Sequence, residues 1–152
     1  MDKINLTPVG VVHNSVEDKL DLDWGAVRSK IVLEAEYRGG LMGLEAFSHV
    51  IIVTYLNKAH YDAHEQLQRR PRGLAELPLV GIFAQRSKDR PNTIGLTAVK
   101  LLGVGEDWLE VEGLDAINGT PVLDIKPYYP AYDRRDEAVT PPWVDFILKG
   151  YF

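Results

Sequence analysis

The fold class is decided by Thr93–Glu112, which reads TIGLTAVKLLGVGEDWLEVE. Its first part, Thr93–Val104, has the length and β-branched content of a strand. Gly103–Asp107 has the glycine and acidic residues of a tight turn. In Trp108–Glu112, apolar and acidic residues then alternate with a period of two. The stretch therefore predicts a β-hairpin whose second strand has one buried and one solvated face.

Segments of similar length lie on both sides of this hairpin, separated by glycine and proline. Strands are predicted at Val9–Val12, Ile31–Tyr37, His49–Leu56, Leu79–Ala84 and Pro121–Tyr128. The strand His49–Leu56 is apolar except near its ends, so both of its faces are predicted to be covered. Helix is predicted only for Lys58–Arg70 and for Pro141–Leu148, which begins with prolines suited to a first helical turn. Six or seven short strands with minor helical connectors predict an all-β fold, a barrel or a sandwich.

Length and composition indicate one globular domain. The 152 residues are 45% hydrophobic and 26% charged, which is ordinary for a globular chain. No linker divides them, so residues 1–152 are predicted to form a single domain. No apolar run reaches the length of a membrane span. The chain contains no cysteine and its first residues lack the apolar segment of a signal peptide, so a cytoplasmic location is expected.

Positive charge is concentrated in one part of an acidic chain. The net charge is −5, yet residues 69–100 contain seven basic residues and two acidic ones. Such a patch can attract a polyanion locally, because screening confines each charge to about 10 Å. The arginine cluster Arg69, Arg70 and Arg72 is the candidate contact to RNA phosphates. A solvated basic surface remains the alternative interpretation.

Phe83–Leu96, FAQRSKDRPNTIGL, is the first of two segments that carry candidate chemistry. It places three cations, with amide and carboxyl groups, in a loop between two predicted strands. Guanidinium groups are planar forks of donors that pair with carboxylates or phosphates. Arg86 and Arg90 are therefore candidate ligand contacts, and a charged surface loop is the alternative.

Gly113–Tyr128, GLDAINGTPVLDIKPY, is the second segment. Its Asn-Gly pair is typical of a tight turn. The strand that follows alternates polar and apolar residues, and a period of two places the polar side chains on one face. These side chains are those of Asp124, Lys126 and Tyr128. Such a face is either part of a site or a wetted surface that bears an ion pair.

His60 and His64 are four residues apart in the predicted helix Lys58–Arg70. Two imidazoles at this spacing can bind a metal. Asp62 and Glu65 are nearby, but the segment lacks a third convincing ligand and is polar all round, so a solvated helix face is the preferred interpretation and no metal is predicted.

The segments Phe83–Leu96 and Gly113–Tyr128 closely resemble the two signature segments of the TsaA-like family, which includes the bacterial TrmO tRNA methyltransferases. Weaker agreement is found from Pro8 onwards. The resemblance therefore covers most of the chain, from Pro8 to about Pro130. It implies a small β-barrel, S-adenosylmethionine as cofactor, a homodimer, and methylation of the exocyclic nitrogen of threonylcarbamoyl-adenosine beside the tRNA anticodon. A methyltransferase of the same fold that acts on a small molecule remains an alternative. So does a non-catalytic module that binds S-adenosylmethionine or RNA.

The resemblance also implies roles for individual residues. The cofactor would be contacted by Asn57, Lys58, Arg86, Asp115, Ile117, Asn118, Gly119 and Thr120. On the same interpretation, the modified base and its carboxylate would be oriented by Arg90, Asn92, Asp124, Lys126 and Tyr128. Many members carry a Pro-Arg-Gln cofactor segment where this chain reads Glu17–Trp24, which leaves one wall of the cofactor site unassigned.

Overall fold

The molecule is built around a closed antiparallel barrel. The computed structural model describes residues 2–18 and 23–152. In this part of the chain the barrel strands follow the order β1-β2-β7-β6-β3-β8. They are Gly10–His13 (β1), Arg28–Leu33 (β2), His49–Tyr55 (β3), Ile94–Val104 (β6), Trp108–Glu112 (β7) and Pro121–Pro127 (β8). Gln68–Arg69 (β4) and Val80–Gly81 (β5) form a separate two-stranded ladder. The predicted small all-β barrel is confirmed.

The helices are short connectors. They are Ala63–Gln66 (α1), Pro130–Asp133 (α2) and Pro142–Leu148 (α3), the last two with proline in the first turn. The prediction of a helix over Lys58–Arg70 is wrong except for the four residues of α1. The helix cannot begin earlier, because Asp62 is its N-cap and its side chain accepts a hydrogen bond from His64 N–H. It ends before Gln68, where β4 begins. No helix among residues 2–18 and 23–152 is long and apolar enough to cross a bilayer.

Two predicted strands are shorter than expected. Ile31–Tyr37 leaves the sheet after Leu33 and turns into a 3₁₀ turn at Ala35–Tyr37. Leu79–Ala84 is a strand only over β5 and continues as a 3₁₀ turn at Ile82–Ala84. In Ile31–Tyr37 the alternation of residue types continues past Leu33, where the pairing of β2 with β1 ends.

The core lies inside the barrel. Val12, Ile31, Ile52, Leu109 and Val111 are all fully buried there, and each buried side chain of this size contributes about 1.5–3 kcal/mol. Along β3, buried residues alternate with exposed or half-buried ones. The prediction that both faces of this strand are covered is therefore wrong, because a barrel closed on itself buries only its inner face.

The register of β8 changes where its polar face begins. Thr54 pairs with Val122, whereas Val53 pairs with Asp124, so the pairing skips Leu123. This irregularity keeps Val122 in the core and turns Asp124 to the outer face, as a bulge does.

The barrel has two ends, which we name by a residue at each. At the Asp115 end, β3 ends while β6 and β8 begin, and Tyr55 is paired with Ile94. At the His49 end, β3 begins and His49 is paired with Lys100.

Candidate functional site

Asp115 is a half-buried carboxylate at the mouth of the barrel. Its Oδ2 accepts a hydrogen bond from the Tyr151 hydroxyl at 2.9 Å, and its Oδ1 accepts one from the Thr97 hydroxyl. Thr97 comes from the row of β6 that faces the barrel interior, opposite Ile52. A carboxylate has about four acceptor positions, so roughly two remain for a ligand.

The turn after Asp115 is fixed by the chain itself. Gly119 has φ 79°, the left-handed conformation that the predicted Asn-Gly turn requires. Three consecutive N–H groups of the turn, at residues 118 to 120, donate to backbone carbonyls. The accepting carbonyls belong to Val16, Val12 and Ile117, at 2.7, 2.8 and 3.2 Å. Thr120 is buried, and its hydroxyl also donates to the Ile117 carbonyl. Contact with a ligand therefore falls to other groups of the turn, above all to side chains.

A segment near the N-terminus packs against this turn, which sequence reasoning did not foresee. The Asn118 side chain donates to Glu17 Oε1 at 2.9 Å. The Asn14 side chain donates to Ser29 Oγ at 2.9 Å and to the Ala116 carbonyl at 2.8 Å. The wall left unassigned at residues 17–24 is described only in part, since residues 19–22 lie outside the described residues.

Arg86 holds its loop to the start of β6, and Arg90 closes the loop on itself. Arg86 Nη2 donates to the Leu96 carbonyl, and Arg90 Nη1 donates to the Gln85 carbonyl at 3.2 Å. The Arg86 side chain is largely exposed and Arg90 is half-buried. Both cations are therefore at the Asp115 end of the barrel, with the exposed Asn92 in the same loop.

Asp89 ties this loop to its neighbours. Its carboxylate lies 2.5 Å from Lys88 Nζ and 3.9 Å from Arg69 Nη1, and it accepts a hydrogen bond from His60 N–H at 3.1 Å. Burial alone would raise the pKa of Asp89, but the Lys88 and His60 hydrogen bonds and the positive charges of Lys88 and Arg69 hold it below its usual value. The aspartate thus remains ionised and fixes the loop.

The three arginines of the predicted cluster contact different neighbours. Arg69 faces Asp89, and Arg70 Nη1 donates to the Leu77 carbonyl. The Arg72 guanidinium lies 5.9 Å from the centre of the Tyr151 ring. Arg72 is therefore connected to Asp115 through Tyr151, which hydrogen-bonds to that carboxylate.

Asn57 and Lys58 follow β3 after Leu56 and are exposed at the Asp115 end. Asn57 N–H donates to the Tyr55 carbonyl at 2.9 Å, so the chain turns there. The predicted cofactor residues therefore lie at one end of the barrel, where Asn57 and Lys58 join Arg86 and the turn Asp115–Thr120.

The predicted substrate residues are not brought together within one chain. Asp124 and Lys126 form an ion pair of 2.7 Å on the outer face of β8. Tyr128 lies beyond the strand at the His49 end, with its ring 6.4 Å from that of His49. Arg90 and Asn92 are at the other end, and the seven residues of β8 span about 23 Å.

A groove of about 730 Å³ opens at the His49 end. Its aromatic walls include Tyr128, His49 and a stacked pair, Phe47 and Tyr129, whose ring centres are 5.9 Å apart. Arg134 adds a cation at its edge. The rings could stack on an unpaired base.

Comparison with known proteins identifies the family. The model of the tRNA-methyltransferase O N-terminal domain matches residues 23–134. The chain is 38% identical to a probable S-adenosyl-L-methionine-binding protein of Methanothermobacter thermautotrophicus, over 86% of this chain and 94% of that protein. It is 41% identical to the human tRNA (adenine(37)-N6)-methyltransferase, over 82% of this chain but only 27% of that protein. The crystal structure of TrmO from Pseudomonas aeruginosa has a TM-score of 0.76 at 30% identity, over 94% of this chain and 62% of that one.

The fold and site define a class, a closed antiparallel barrel with polar loops gathered at one end. The chain belongs to the tRNA-methyltransferase O N-terminal domain family, which confirms the resemblance to TsaA-like and TrmO proteins. The names of the relatives agree with the predicted cofactor and with a methyltransferase. The chain spans about a quarter of the human relative and 62% of the solved TrmO chain.

Proposed function

We propose that this protein transfers a methyl group from S-adenosylmethionine to tRNA, at the exocyclic nitrogen of threonylcarbamoyl-adenosine beside the anticodon. The observation that carries the proposal is the family match over residues 23–134, which contain the polar loops of the Asp115 end. Because the chain has no cysteine and its substrate would be tRNA, we propose that it works in the cytoplasm.

The residues at the Asp115 end fit this cofactor chemically. S-adenosylmethionine carries ribose hydroxyls, an ammonium and a carboxylate. The Asp115 carboxylate has acceptor positions left for hydroxyl or ammonium donors, and the exposed Arg86 guanidinium suits a carboxylate. Asn57, Lys58 and Asn118 flank them. When bound, the cofactor supplies a methyl group activated by its sulfonium.

The remaining task of the protein is alignment in a dry site. An exocyclic nitrogen loses a proton readily once it is methylated, so a strong general base is not required. Lys126 would hold the threonylcarbamoyl carboxylate by its charge, and Tyr128 would contact the base. Arg90 and Asn92 would orient the same substrate from the Asp115 end.

A homodimer is part of the proposal, and an apolar outer face supports it. Tyr55, Ile94 and Leu96 are 44%, 39% and 53% exposed, and they lie side by side where β3 pairs with β6. Contiguous exposed apolar surface of this kind is typical of an interface. A second copy packed on this face about a two-fold axis perpendicular to β3 would bring the Asp115 ends of the two copies together, because all three residues lie at that end.

The decisive experiment is a transfer assay on purified protein. tRNA that carries threonylcarbamoyl-adenosine is incubated with S-adenosylmethionine, and its nucleosides are analysed by mass spectrometry. We expect that nucleoside to gain one methyl group, and tRNA without the threonylcarbamoyl group to gain none. A protein that leaves both tRNAs unmethylated contradicts the proposal.

A non-catalytic S-adenosylmethionine-binding module is the second candidate. It is favoured by the relative that this chain covers almost completely, which is named only for binding the cofactor. Both candidates predict that cofactor at a hundredfold excess over its Kd stabilises the fold by about 2.7 kcal/mol. Stabilisation without methyl transfer supports the module, and no stabilisation at millimolar cofactor contradicts both.

A further inference from the structure

Tyr151 lies outside the segment that the family model matches, yet it reaches the centre of the candidate site. Its hydroxyl donates to Asp115 Oδ2 at 2.9 Å, although 36 residues separate the two. The family model ends at residue 134. The contact is therefore made by a part of this chain to which neither the comparisons nor the signature segments give a role.

The segment around Tyr151 is docked by its backbone. Asp23 N–H donates to the Gly150 carbonyl at 2.9 Å, and Trp24 N–H donates to the Tyr151 carbonyl at 2.8 Å. Gly25 makes this close approach possible, since a Cβ there would lie 2.5 Å from the carbonyl carbon of Phe152. The position of the Tyr151 hydroxyl is thus set by the fold.

The surroundings of Tyr151 keep its hydroxyl protonated. Burial, and then the charge of Asp115, raise the pKa of Tyr151 far above its usual value, against a smaller lowering by Arg72 and Arg86. The Arg72 guanidinium faces the ring. At neutral pH the tyrosine can therefore act only as a neutral hydroxyl donor towards the carboxylate.

We propose that Tyr151 is a positioning residue for the cofactor: with Thr97, it holds the Asp115 carboxylate so that the remaining acceptor positions point to S-adenosylmethionine. The two hydroxyls bind one carboxylate oxygen each, which fixes the rotation of the carboxylate about its Cβ–Cγ bond. The inference rests on the proposed use of Asp115 as a cofactor ligand. It adds that Tyr151 acts through Asp115 and does not itself contact the cofactor.

The test is a double-mutant cycle on the whole protein with S-adenosylmethionine as the titrated ligand. The variants are Tyr151→Phe, Asp115→Asn and both together, with Kd measured by calorimetry. Phenylalanine keeps the ring next to Arg72 and the backbone contacts. We expect Tyr151→Phe to weaken binding about fivefold and Asp115→Asn about thirtyfold. The double variant should match Asp115→Asn within about twofold, because the two residues act as one unit.

Steady-state kinetics distinguishes positioning from a general structural role. Tyr151→Phe should raise the KM for S-adenosylmethionine and leave kcat and the KM for tRNA unchanged. Tyr132→Phe is the matched control, since Tyr132 is 76% exposed, and it should change none of these constants.

Three outcomes would overturn the inference. One is an unchanged Kd in Tyr151→Phe, and another is a pair of effects that multiply in the double variant. The third is an equal loss in every kinetic constant, accompanied by a lower melting temperature. Failure of the wild-type protein to bind S-adenosylmethionine at all would instead overturn the proposed function, and the inference with it.

Discussion

Lys126 Nζ lies 2.7 Å from Asp124 Oδ2 on the outer face of β8. Lys126 donates a hydrogen bond to this carboxylate. That bond, and then the negative charge of Asp124, raise the pKa of Lys126 above its usual value. The ammonium is therefore protonated at neutral pH and cannot accept a proton from a nucleophile. It can hold an anionic group instead, which is the role that the proposed substrate, with its carboxylate, requires.

We expect Lys126→Met to lower kcat/KM for tRNA by about tenfold or more, because it removes the charged hydrogen bond to the substrate carboxylate. Cofactor affinity should not change. Lys126→Arg is the matched control, since it retains the charge and should keep most of the activity. Transfer assays with varied tRNA, together with cofactor titration, check both expectations. A loss of cofactor affinity in Lys126→Met would place this residue in a different role.

Gly95 gives a prediction about stability. A Cβ at this position would overlap Thr54 Oγ1 and press on Leu56, and Thr54 is buried. Gly95→Ala should therefore lower the free energy of unfolding by about 1–3 kcal/mol, as overpacking does. Gly103→Ala is the control, because its Cβ would meet the Trp108 ring at an ordinary 3.6 Å. The free energies of unfolding of both variants are measured by urea denaturation. Equal values in the two variants would contradict the prediction and show that Thr54 and Leu56 can move to accept the added methyl group.

Much of the barrel could be predicted from local pattern. The hairpin predicted from Thr93–Glu112 is present as Ile94–Val104 and Trp108–Glu112, because alternation and turn residues are local signals. The lengths of other elements depend on tertiary partners. The strand predicted at Ile31–Tyr37 ends at Leu33, where pairing stops although the residue pattern continues.

The site could be predicted only in part, for a related reason. The turn at Asn118 and Gly119 is encoded in two adjacent residues, and it forms as predicted. The contact between Tyr151 and Asp115 depends on where the end of the chain docks, which no local pattern reports. The division of the substrate residues between two ends follows from strand direction and length, which become visible only once the barrel is closed.

Asp89 predicts how stability changes with acid. Its pKa is lowered in the folded state, so its contribution is present above the unfolded value of about 3.9 and is lost as the pH falls through the folded value. Asp89→Asn should remove this contribution, which is at most about 1 kcal/mol for a partly exposed ion pair. Urea unfolding between pH 2 and 7 should show a shallower loss of stability below pH 4 in the variant. Parallel curves for the two proteins would contradict this assignment.

Arg72 provides a test of tRNA binding, because its backbone conformation allows glycine to replace it without strain. Its φ is 51°, a conformation that glycine adopts without cost. Arg72→Gly therefore removes the charge without adding backbone strain. If Arg72 contacts a phosphate, the slope of log K against log salt should become shallower by about 0.7–0.9.

The matched control for this measurement is Arg38→Gln, which removes one positive charge at an exposed ion pair with Asp107, 3.5 Å away. Fluorescence anisotropy with labelled tRNA, at several salt concentrations, gives the slopes for both variants and the wild type. The wild-type slope should persist in Arg38→Gln, because only a cation that contacts phosphate releases a condensed counterion. Equal slopes in all three proteins would remove Arg72 from the interface. An equal decrease in both variants would mean that tRNA responds to net charge and not to the arginine beside Tyr151.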